Sequence, residues 1–581
     1  MNAAPAVGRI STIARSSLWV ALALGRVEAR KLLSHPASLV GAALALAVPV
    51  VATWNYMPVL NRYDALTNEA LIPFATGVLI AAHLATMRAR RHRTTELFDS
   101  LVAQDAAVTV AHLIAVLYAS CFALLLVVAQ LGYMKVIGGV ATPRATVVLI
   151  GPALVAFAGA FGVALGRWVP RMFAAPLGIA GLVTVCTALT TNTYAHNREW
   201  LSLWVPSEVI SGTVSEVSLR PYGWRLLYMT GLVALVTAVA LAHHPRHRVI
   251  ATGLAIGALL GATYAGGREM QPVSRSEQIA IASHFLEGYR HPSCRDYESV
   301  QYCALPGYER WVDRWREPTE GVMAALPVSA GPEQLRLIQA PADAETYDDR
   351  ANAVLRRRLG REKRNGILSS ESDINPSLHW GRNSKEGESE LAIALRVATL
   401  AAGIDTRFRL TKKDVADIPG PQRRQFRVGR LYRNCITFEQ GRSIVALWLA
   451  ARATEGTEAA FLEAATQLPY ESGPKASAVG YFEPEQWALD AYMWQTLGDA
   501  GAIWGTRETT YVAQLLEHDE SEVRATIAAN WDGLVGRRTT SDEAAAMLGL
   551  RPLPPLGDVI ENWGYFRRYR GVEQFGVPQC Q

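Results

Sequence analysis

The chain has 581 residues, of which 50% are hydrophobic and 19% are charged, and its formal net charge is +5. So small a positive charge, with no basic stripe interleaved with aromatic residues, argues against a nucleic-acid-binding protein. The average composition conceals two unlike parts, because long apolar stretches fill the region before Gly266 and none follows it. This contrast argues against a uniformly soluble protein and predicts a membrane domain followed by a large polar domain.

Seven apolar stretches are long enough to cross a bilayer. Each has about 17 to 26 mostly uncharged residues, the length that a helix needs to span ~30 Å of hydrocarbon. The stretches are residues 37–55, 71–87, 108–133, 145–166, 172–192, 226–243 and 249–265. We therefore predict an α-helical polytopic membrane domain of about seven spans over residues 37–265.

Lysine and arginine are distributed unevenly among the loops that join these stretches. They cluster before the first stretch and after the second, fourth and sixth, in segments that include Arg15, Arg93, Arg171 and Arg246. Positive residues accumulate on the cytoplasmic side of membrane proteins. We therefore expect a cytoplasmic N-terminus, location in the cell membrane and, because the number of spans is odd, a mainly α (α+β) extracellular domain over residues 266–581.

Four cysteines fall in this polar part of the chain: Cys294, Cys303, Cys435 and Cys580. An even number of cysteines in an oxidising compartment predicts disulfide bonds. The short separation of Cys294 and Cys303 favours one bond that closes a short loop, and Cys435 would then bond Cys580. Metal binding is the alternative, but the usual C-x-x-C spacing and a nearby histidine pair are both missing, so we expect neither metal nor other cofactor.

Two stretches on the expected cytoplasmic side have helical patterns. In residues 21–36, apolar residues recur at helical spacing beside Glu28, Arg30 and Lys31, which predicts an amphipathic helix at the membrane interface. Pro36 ends this helix before the first span. The N-terminal region 1–36 is thus expected to be a cytoplasmic amphipathic helix.

The second stretch is residues 88–102, between the second and third spans. A threonine cap at Thr94 or Thr95 predicts a short helix whose apolar side chains have no membrane to cover them. Another protein is the natural cover for such a helix. A charged loop that merely obeys the positive-inside rule is the simpler alternative.

The two patterns R-x-E-x-R-K-L-L-x-x-P, ending at Pro36, and R-R-x-R-T-T-E-L-F-x-S-L, ending at Leu101, resemble the type-2 exporter permeases of ATP-binding-cassette (ABC) transporters. The resemblance implies that the first helix is the elbow helix and that a coupling helix near residues 91–102 docks into a cytoplasmic ABC ATPase subunit. Elbow contacts would be Glu28, Arg30 and Lys31. The coupling residues would be Arg91, Arg93, Thr94, Glu96, Leu97, Phe98 and Leu101.

The resemblance also implies a dimer, with a second copy or with a different permease, in the lipid bilayer. The aromatic-rich segment 193–225 is similar to the short re-entrant helices that this family places between its fifth and sixth spans. The family usually ends near the sixth span, whereas this chain has a seventh. Its segment from Cys294 to Tyr308 resembles extracellular extensions of permeases from GC-rich Gram-positive bacteria, which look like degenerate zinc aminopeptidase domains.

Catalytic motifs are missing from the sequence. It contains neither G-x-x-x-x-G-K-[ST] nor H-E-x-x-H, so we predict a non-catalytic transporter subunit whose ATPase activity resides in a partner. Few charges fall within the spans, which favours a lipid-like or amphipathic substrate. Two other functions stay open: a membrane-anchored, peptidase-like ectoenzyme, and an envelope scaffold or sensor that works through its extracellular domain.

Within the polar domain, helical patterns dominate. A strand is expected within 330–345, and others at 405–411 and 425–438, and Glu386, Glu388 and Glu390 mark either a helix start or a solvated loop. Pairs of the later helices resemble the hairpins of an α-solenoid. The predicted helices are 268–292, 307–326, 343–361, 389–403, 442–453, 457–466, 483–500, 506–517, 520–533 and 541–549.

Overall fold

The computed structural model describes residues 6–91, 105–191, 198–203, 220–271, 291–328, 334–339, 380–404, 440–466 and 506–553, with pieces of four residues or fewer elsewhere between 274 and 503. The chain divides into two compact units. The first, here called the membrane unit, comprises Met1–Glu287 and Asp343–Arg361, and the second comprises Gly288–Ala342 and Glu362–Gln581. The division falls later than the expected boundary at residue 266.

Helices account for nearly all of the described membrane unit. They are α1 (Ala6–Leu33), α2 (Pro36–Ala52), α3 (Leu60–Ala70), α4 (Ile72–Arg91), α5 (Asp105–Val136), α6 (Ala145–Val148), α7 (Ile150–Trp168), α8 (Ala174–Thr191), α9 (Tyr222–Ala242) and α10 (Arg248–Met270). Short 3₁₀ turns lie at Arg198–Leu201 and Pro245–His247.

Among the described residues, five helical segments are long and apolar enough to cross a membrane: Tyr63–Arg88, Ala106–Val136, Ala145–Trp168, Tyr222–Ala242 and Pro245–Met270. The bent pair Trp19–Leu33 and Pro36–Ala52 makes a sixth if it is one span. Each of the seven predicted stretches lies largely in a helix, but 37–55 and 172–192 correspond to the short helices α2 and α8. The count of membrane-capable helices is therefore five or six, against seven predicted spans.

The predicted helix break at Pro36 is confirmed. Helices α1 and α2 meet at an angle of 64°. Proline lacks the N–H that would continue the hydrogen-bond ladder, and it is favoured at the first position of a new helix. The Nδ1 atom of His35 accepts a hydrogen bond from the backbone N–H of Ala37 at 3.2 Å and so caps α2. Helix α1 begins at Ala6, so it extends beyond the stretch 21–36 and lies within the region 1–36 that was predicted to be an amphipathic helix.

Glycines allow the backbones of α2, α4 and α7 to approach closely. A Cβ atom at Gly77 of α4 would lie 2.2 Å from the carbonyl oxygen of Ala37 in α2. One at Gly162 of α7 would lie 2.3 Å from the carbonyl oxygen of Leu79 in α4. Any side chain at these two positions would force the helices apart, which is the role that small residues have in packed membrane helices.

The second unit has a four-stranded sheet in the order β1-β2-β3-β4. Strands β1 and β2 pair antiparallel, whereas β2, β3 and β4 are parallel. Two further pairs, β5 with β6 and β7 with β8, are short. The strands are β1 (Ser293–Tyr297), β2 (Val300–Ala304), β3 (Leu335–Ile338), β4 (Asp373–Ile374), β5 (Phe408–Arg409), β6 (Leu431–Tyr432), β7 (Cys435–Ile436) and β8 (Ala502–Ile503).

The disulfide predicted between Cys294 and Cys303 is confirmed. The two residues are directly opposite each other on β1 and β2, so the expected short loop is in fact a β-hairpin. Glu298 makes its turn with a positive φ of 50°. The side chain of Cys435 and the whole of Cys580 lie outside the described residues, so their pairing stays a prediction.

The described helices of the second unit match the helical patterns predicted for them. They are α11 (Val312–Ala325), α12 (Glu386–Ala401), α13 (Gly441–Ala451), α14 (Glu455–Thr466), α15 (Thr506–Leu516), α16 (Glu520–Ala529), α17 (Trp531–Leu534) and α18 (Ser541–Met547). The acidic cluster is a helix start, because α12 begins at Glu386. The hairpin of β1 and β2 was missed, since only its cysteines stood out in the sequence.

Helix α13 forms the centre of this unit. Every one of its residues is buried, and α11, α12, α14, α15 and α18 pack around it. Large aromatic side chains complete the core, namely Trp311, Trp315, Trp380, Trp448, Phe461 and Tyr511. A solenoid repeat contacts only its neighbours, so the arrangement of these helices about one central helix differs from that of the α-solenoid hairpins that pairs of them resemble in sequence.

Candidate functional site

A buried carboxylate lies on the face of α1 that packs against the helix bundle. Glu28 is only 7% exposed. Its Oε1 atom accepts a hydrogen bond from Lys31 Nζ at 3.1 Å, and both of its carboxylate oxygens lie 3.2 Å from Arg88 Nη1 in α4. A carboxylate at such a depth requires cationic partners to stay charged.

Helix α5 adds a third contact to the same carboxylate. The Nδ1 atom of His112 lies 4.0 Å from Glu28 Oε2, and both side chains are 9% exposed. Glu28 therefore connects α1, α4 and α5. We call Glu28, Arg88 and His112 the Glu28 cluster.

The periodicity of α1 explains why Glu28 lies inside. Small and apolar residues on the same face, among them Ala21, Gly25, Ala29 and Leu32, are also buried. Gly25 is needed there, because a Cβ at this position would lie 2.7 Å from Ile114 of α5. Of the predicted elbow residues, Arg30 and Lys31 are exposed and Glu28 is buried.

The Glu28 cluster lies at the end of the bundle where the predicted coupling segment begins and ends. Arg88 is in the last turn of α4, and His112 is about two turns after the start of α5. Arg93, Thr94, Glu96, Leu97, Phe98 and Leu101 are outside the described residues, as is the side chain of Arg91. The cluster thus joins the two helices that flank residues 92–104.

A second polar contact fixes the beginning of α5. Thr109 Oγ1 lies 2.8 Å from Nε2 of His244, which follows the end of α9, and both residues are buried. Beside it, Trp168 Nε1 donates to the carbonyl oxygen of Val239 at 2.9 Å. In the sequence, these contacts were indicated only by polar residues near the ends of apolar stretches, such as Thr109 and His244.

A separate ionic cluster occupies the opposite end of α10 from His244, and the sequence patterns did not predict it. Glu269 is fully buried, and its Oε1 atom accepts a hydrogen bond from Arg220 Nε at 3.0 Å. Arg225 Nη1 lies 3.9 Å from Glu269 Oε2. Both arginines are buried as well, with 7% and 2% exposure.

These arginines also hold the segment 198–203. Arg225 donates to the carbonyl oxygens of Trp200 at 2.7 Å and Ser202 at 2.5 Å. Arg220 donates to the Trp200 carbonyl at 2.9 Å. Glu269 neutralises the guanidinium groups and so allows them to bind backbone carbonyls in a buried site.

In the second unit, the carboxylates at the start of α12 have structural partners. Glu386 pairs with Arg314 and Glu388 with Lys385, and Thr454 Oγ1 donates to Glu390 Oε2 at 2.7 Å. Burial raises the pKa of Glu390, and the nearby carboxylates of Glu317 and Glu386 add to the shift. Across the described parts of both units, His, Cys, Asp and Glu side chains form no group of three that could hold a metal ion.

Comparison of the chain with protein-family models, with curated proteins and with solved structures gives no match. The membrane-capable helices are nevertheless typical of a helical membrane protein. The second unit contains both helices and strands, and it has a disulfide bond. Two buried ionic clusters, at opposite ends of the bundle, are its candidate sites.

Proposed function

We propose that this chain is the transmembrane permease subunit of an ABC transporter. A separate cytoplasmic ATPase would bind residues 92–104, and ATP hydrolysis would drive export or transmit a mechanical signal across the membrane. The observation that supports this most directly is the Glu28 cluster. It connects the interfacial helix α1 to both helices that flank the proposed ATPase-binding segment.

A segment that transmits movement needs a rigid attachment to the helices that it moves. The Glu28 carboxylate is buried, whereas the Arg88 side chain is 41% exposed, so the ion pair that joins α1 to α4 is partly solvated. Because Glu28 contacts both α4 and α5, a displacement of residues 92–104 would move α4, α5 and α1 together. The bend of 64° between α1 and α2 supports a role for α1 as a separate interfacial helix rather than as part of a span.

The proposal includes an orientation. It counts the shorter helices α2 and α8 as spans beside the five longer ones, which makes seven. With a cytoplasmic N-terminus, the Glu28 cluster then lies at the cytoplasmic face and residues 266–581 are extracellular. The disulfide between Cys294 and Cys303 supports an oxidising environment for the second unit. Single cysteines introduced at Ser100 and Ser370 test this orientation. Ser100→Cys should react with an impermeant thiol reagent only after permeabilisation, and Ser370→Cys should react from outside; labelling of both from the same side would contradict it.

The ATPase must belong to another subunit, because the sequence has no phosphate-binding G-x-x-x-x-G-K-[ST] loop. The permease would work as a dimer, with a second copy or with a different permease. A lipid-like or amphipathic substrate suits spans that carry few charges.

Affinity purification of the full chain in mild detergent tests the proposal. We expect an ABC ATPase to co-purify and to hydrolyse ATP faster in the complex than alone. The matched control is a chain in which residues 92–104 are replaced by a Gly/Ser linker of equal length, which should not retain the ATPase. Retention by both chains, or by neither, would contradict the proposal, and peptidase activity in the purified chain would support the ectoenzyme instead.

A further inference from the structure

The side of α1 that faces away from the helix bundle carries two arginines one turn apart. We call this side the outer face; its residues Trp19, Ala23, Arg26 and Arg30 follow one another at the helical spacing of three or four positions. All four are exposed, whereas Glu28 lies on the opposite side and is buried. The outer face therefore presents an aromatic ring and two guanidinium groups to the surroundings of the bundle.

Both guanidinium groups have donors that are available to a ligand. Arg26 Nε donates a hydrogen bond to the Tyr118 hydroxyl of α5 at 3.4 Å, which ties this side chain to the bundle. Within the described ranges, the terminal nitrogens of Arg26 and all the nitrogens of Arg30 lack an acceptor. Side chains four positions apart on a helix have Cβ atoms about 5–6 Å apart, so a single phosphate group can accept from both arginines.

Positive charge is in excess on this helix. Glu28 is the single carboxylate in the sequence of α1, and Lys31 and Arg88 are already bound to it. The two arginines of the outer face thus have no acid within α1 to neutralise them. A helix surface of this kind attracts anionic groups, and beside a membrane the nearest anions are lipid headgroups.

Apolar side chains adjoin the two arginines. Trp19 is 72% exposed and lies about two turns before Arg26 along α1. On α5, Tyr118 and Leu125 are seven positions apart, so they lie on one side of that helix, and both are exposed. Leu125 is further into the predicted span 108–133. A phosphate bound by Arg26 would therefore have exposed apolar surface next to it, which a soluble anion would leave uncovered.

We propose that the outer face of α1 binds an anionic phospholipid of the surrounding bilayer. The lipid phosphate accepts hydrogen bonds from Arg26 and Arg30, and one hydrocarbon chain lies along α5 beyond Tyr118. An anionic headgroup is preferred to a zwitterionic one, because the amine of a zwitterion would add to the excess of positive charge on α1. This site goes beyond the proposed function, and its binding can be measured without any ATPase.

Native mass spectrometry of the delipidated full chain in mild detergent tests the site. The probes are phosphatidylglycerol, which is anionic, and phosphatidylethanolamine, which is zwitterionic. We expect the wild type to bind phosphatidylglycerol more tightly. Each arginine near a membrane surface contributes about fivefold to the affinity for anionic lipid, so Arg26→Gln with Arg30→Gln should weaken phosphatidylglycerol binding by about thirtyfold. The same double variant should weaken phosphatidylethanolamine binding less.

A matched control removes the same charge from another part of the membrane unit. Arg246→Gln with Arg248→Gln also replaces two exposed arginines, just before and at the start of α10, and should bind phosphatidylglycerol like the wild type. Equal effects of the two double variants would show a general attraction to positive charge and would overturn the proposal. Equal binding of both lipids by the wild type would overturn it as well.

A further variant leaves both arginines in place. Ala23→Glu puts a competing carboxylate about one turn from Arg26 on the exposed outer face, where it should not disturb the fold. We expect it to weaken phosphatidylglycerol binding, whereas the uncharged Ala23→Gln should not. Equal binding by these two variants would contradict the proposed place of the phosphate.

Free glycerophosphoglycerol, which is the headgroup without its chains, distinguishes a lipid from a soluble phosphate ester. Binding as tight as that of phosphatidylglycerol would show that the chains contribute nothing, and would overturn the proposal. Loss of a co-purifying ATPase from the Arg26 and Arg30 double variant, with its lipid preference intact, would show that the face binds protein instead. Lipid preference without a co-purifying ATPase would contradict only the transporter function, and an ATPase complex without lipid preference would contradict only this site.

Discussion

The side-chain amide nitrogen of Gln130 donates a hydrogen bond to the backbone carbonyl oxygen of Ala45 at 2.8 Å, deep between α5 and α2. In an uninterrupted helix that carbonyl would accept from the residue four positions later, which is Pro49. Proline has no N–H, and a bare carbonyl in an apolar bundle costs free energy. The glutamine thus supplies the donor that the proline removes.

Replacing Gln130 by leucine should therefore destabilise the membrane unit. The expected loss is about 1 kcal/mol, the size of interhelical hydrogen bonds in membranes, because the Ala45 carbonyl is left without a donor. The free energy of unfolding in mixed detergent measures it. Pro49→Ala restores a backbone N–H, so Gln130→Leu should cost much less in that background. An equal cost in both backgrounds would show that the hydrogen bond has another role.

Removal of the Glu28 carboxylate should loosen α1. Glu28→Ala leaves Arg88 and His112 without their common partner, and we expect a loss of about 1–2 kcal/mol because Arg88 is partly solvated. Faster proteolysis within α1 and a lower unfolding midpoint would report it. Arg30→Ala, an exposed charge on the same helix, is the control and should change neither quantity. If both variants behave alike, Glu28 does not anchor the helix.

The bond between Cys294 and Cys303 should appear in non-reducing peptide maps of the intact chain. The two cysteines are 9 positions apart. Closing so short a loop lowers the conformational entropy of the unfolded chain and so raises its free energy by about 2–3 kcal/mol. Cys294→Ser with Cys303→Ser should therefore lower the stability of the second unit, as measured by denaturant unfolding. Free thiols at these positions in the native protein would refute the pairing.

The coupling hypothesis makes Phe98 and Glu96 the main contacts for the ATPase. Phe98→Ala removes an apolar anchor, and such truncations cost on the order of 2–4 kcal/mol at interface hot spots. That is roughly a thirty-fold to thousand-fold loss of affinity. Quantitative pull-down and ATP turnover measure it, with Ser100→Ala in the same segment as the control. Unchanged complexes with both Phe98→Ala and Glu96→Ala would remove the main support for the transporter.

The stability of the second unit should depend on the ionisation of Glu390. Its pKa is raised in the folded state, so the folded protein binds the proton more tightly than the unfolded chain does. The ionised carboxylate therefore destabilises the fold above the raised pKa, and the penalty disappears as the pH falls through that value to the ordinary one. Glu390→Gln, which keeps an acceptor for Thr454, should stabilise the protein at pH 7 and have no effect near pH 4. Exposed Glu517→Gln is the control, and urea unfolding followed by tryptophan fluorescence measures both.

Local features of the sequence were sufficient for several elements. The length of the apolar stretches predicted the membrane helices, since a helix of that length is what satisfies every backbone group in hydrocarbon. Pro36 predicted the break between α1 and α2 because its effect is confined to its own peptide bond and ring. Cys294 and Cys303 were paired correctly because a separation this short leaves little choice of partner. Helix α13 was recognised from its apolar run, although its central position was not.

The tertiary structure alone decided which distant groups meet. Glu28, predicted to be an elbow-helix contact, is buried against Arg88, and 60 positions separate the two residues. Glu269 meets Arg220 across 49 positions for the same reason. The periodicity of the sequence indicates which side of a helix is apolar. A buried charged residue interrupts that pattern, and the sequence around it does not identify the residue of opposite charge that pairs with it. Only the packing of the helices brings the opposite charge within reach, and the low dielectric of the packed bundle then makes that pair the stable arrangement.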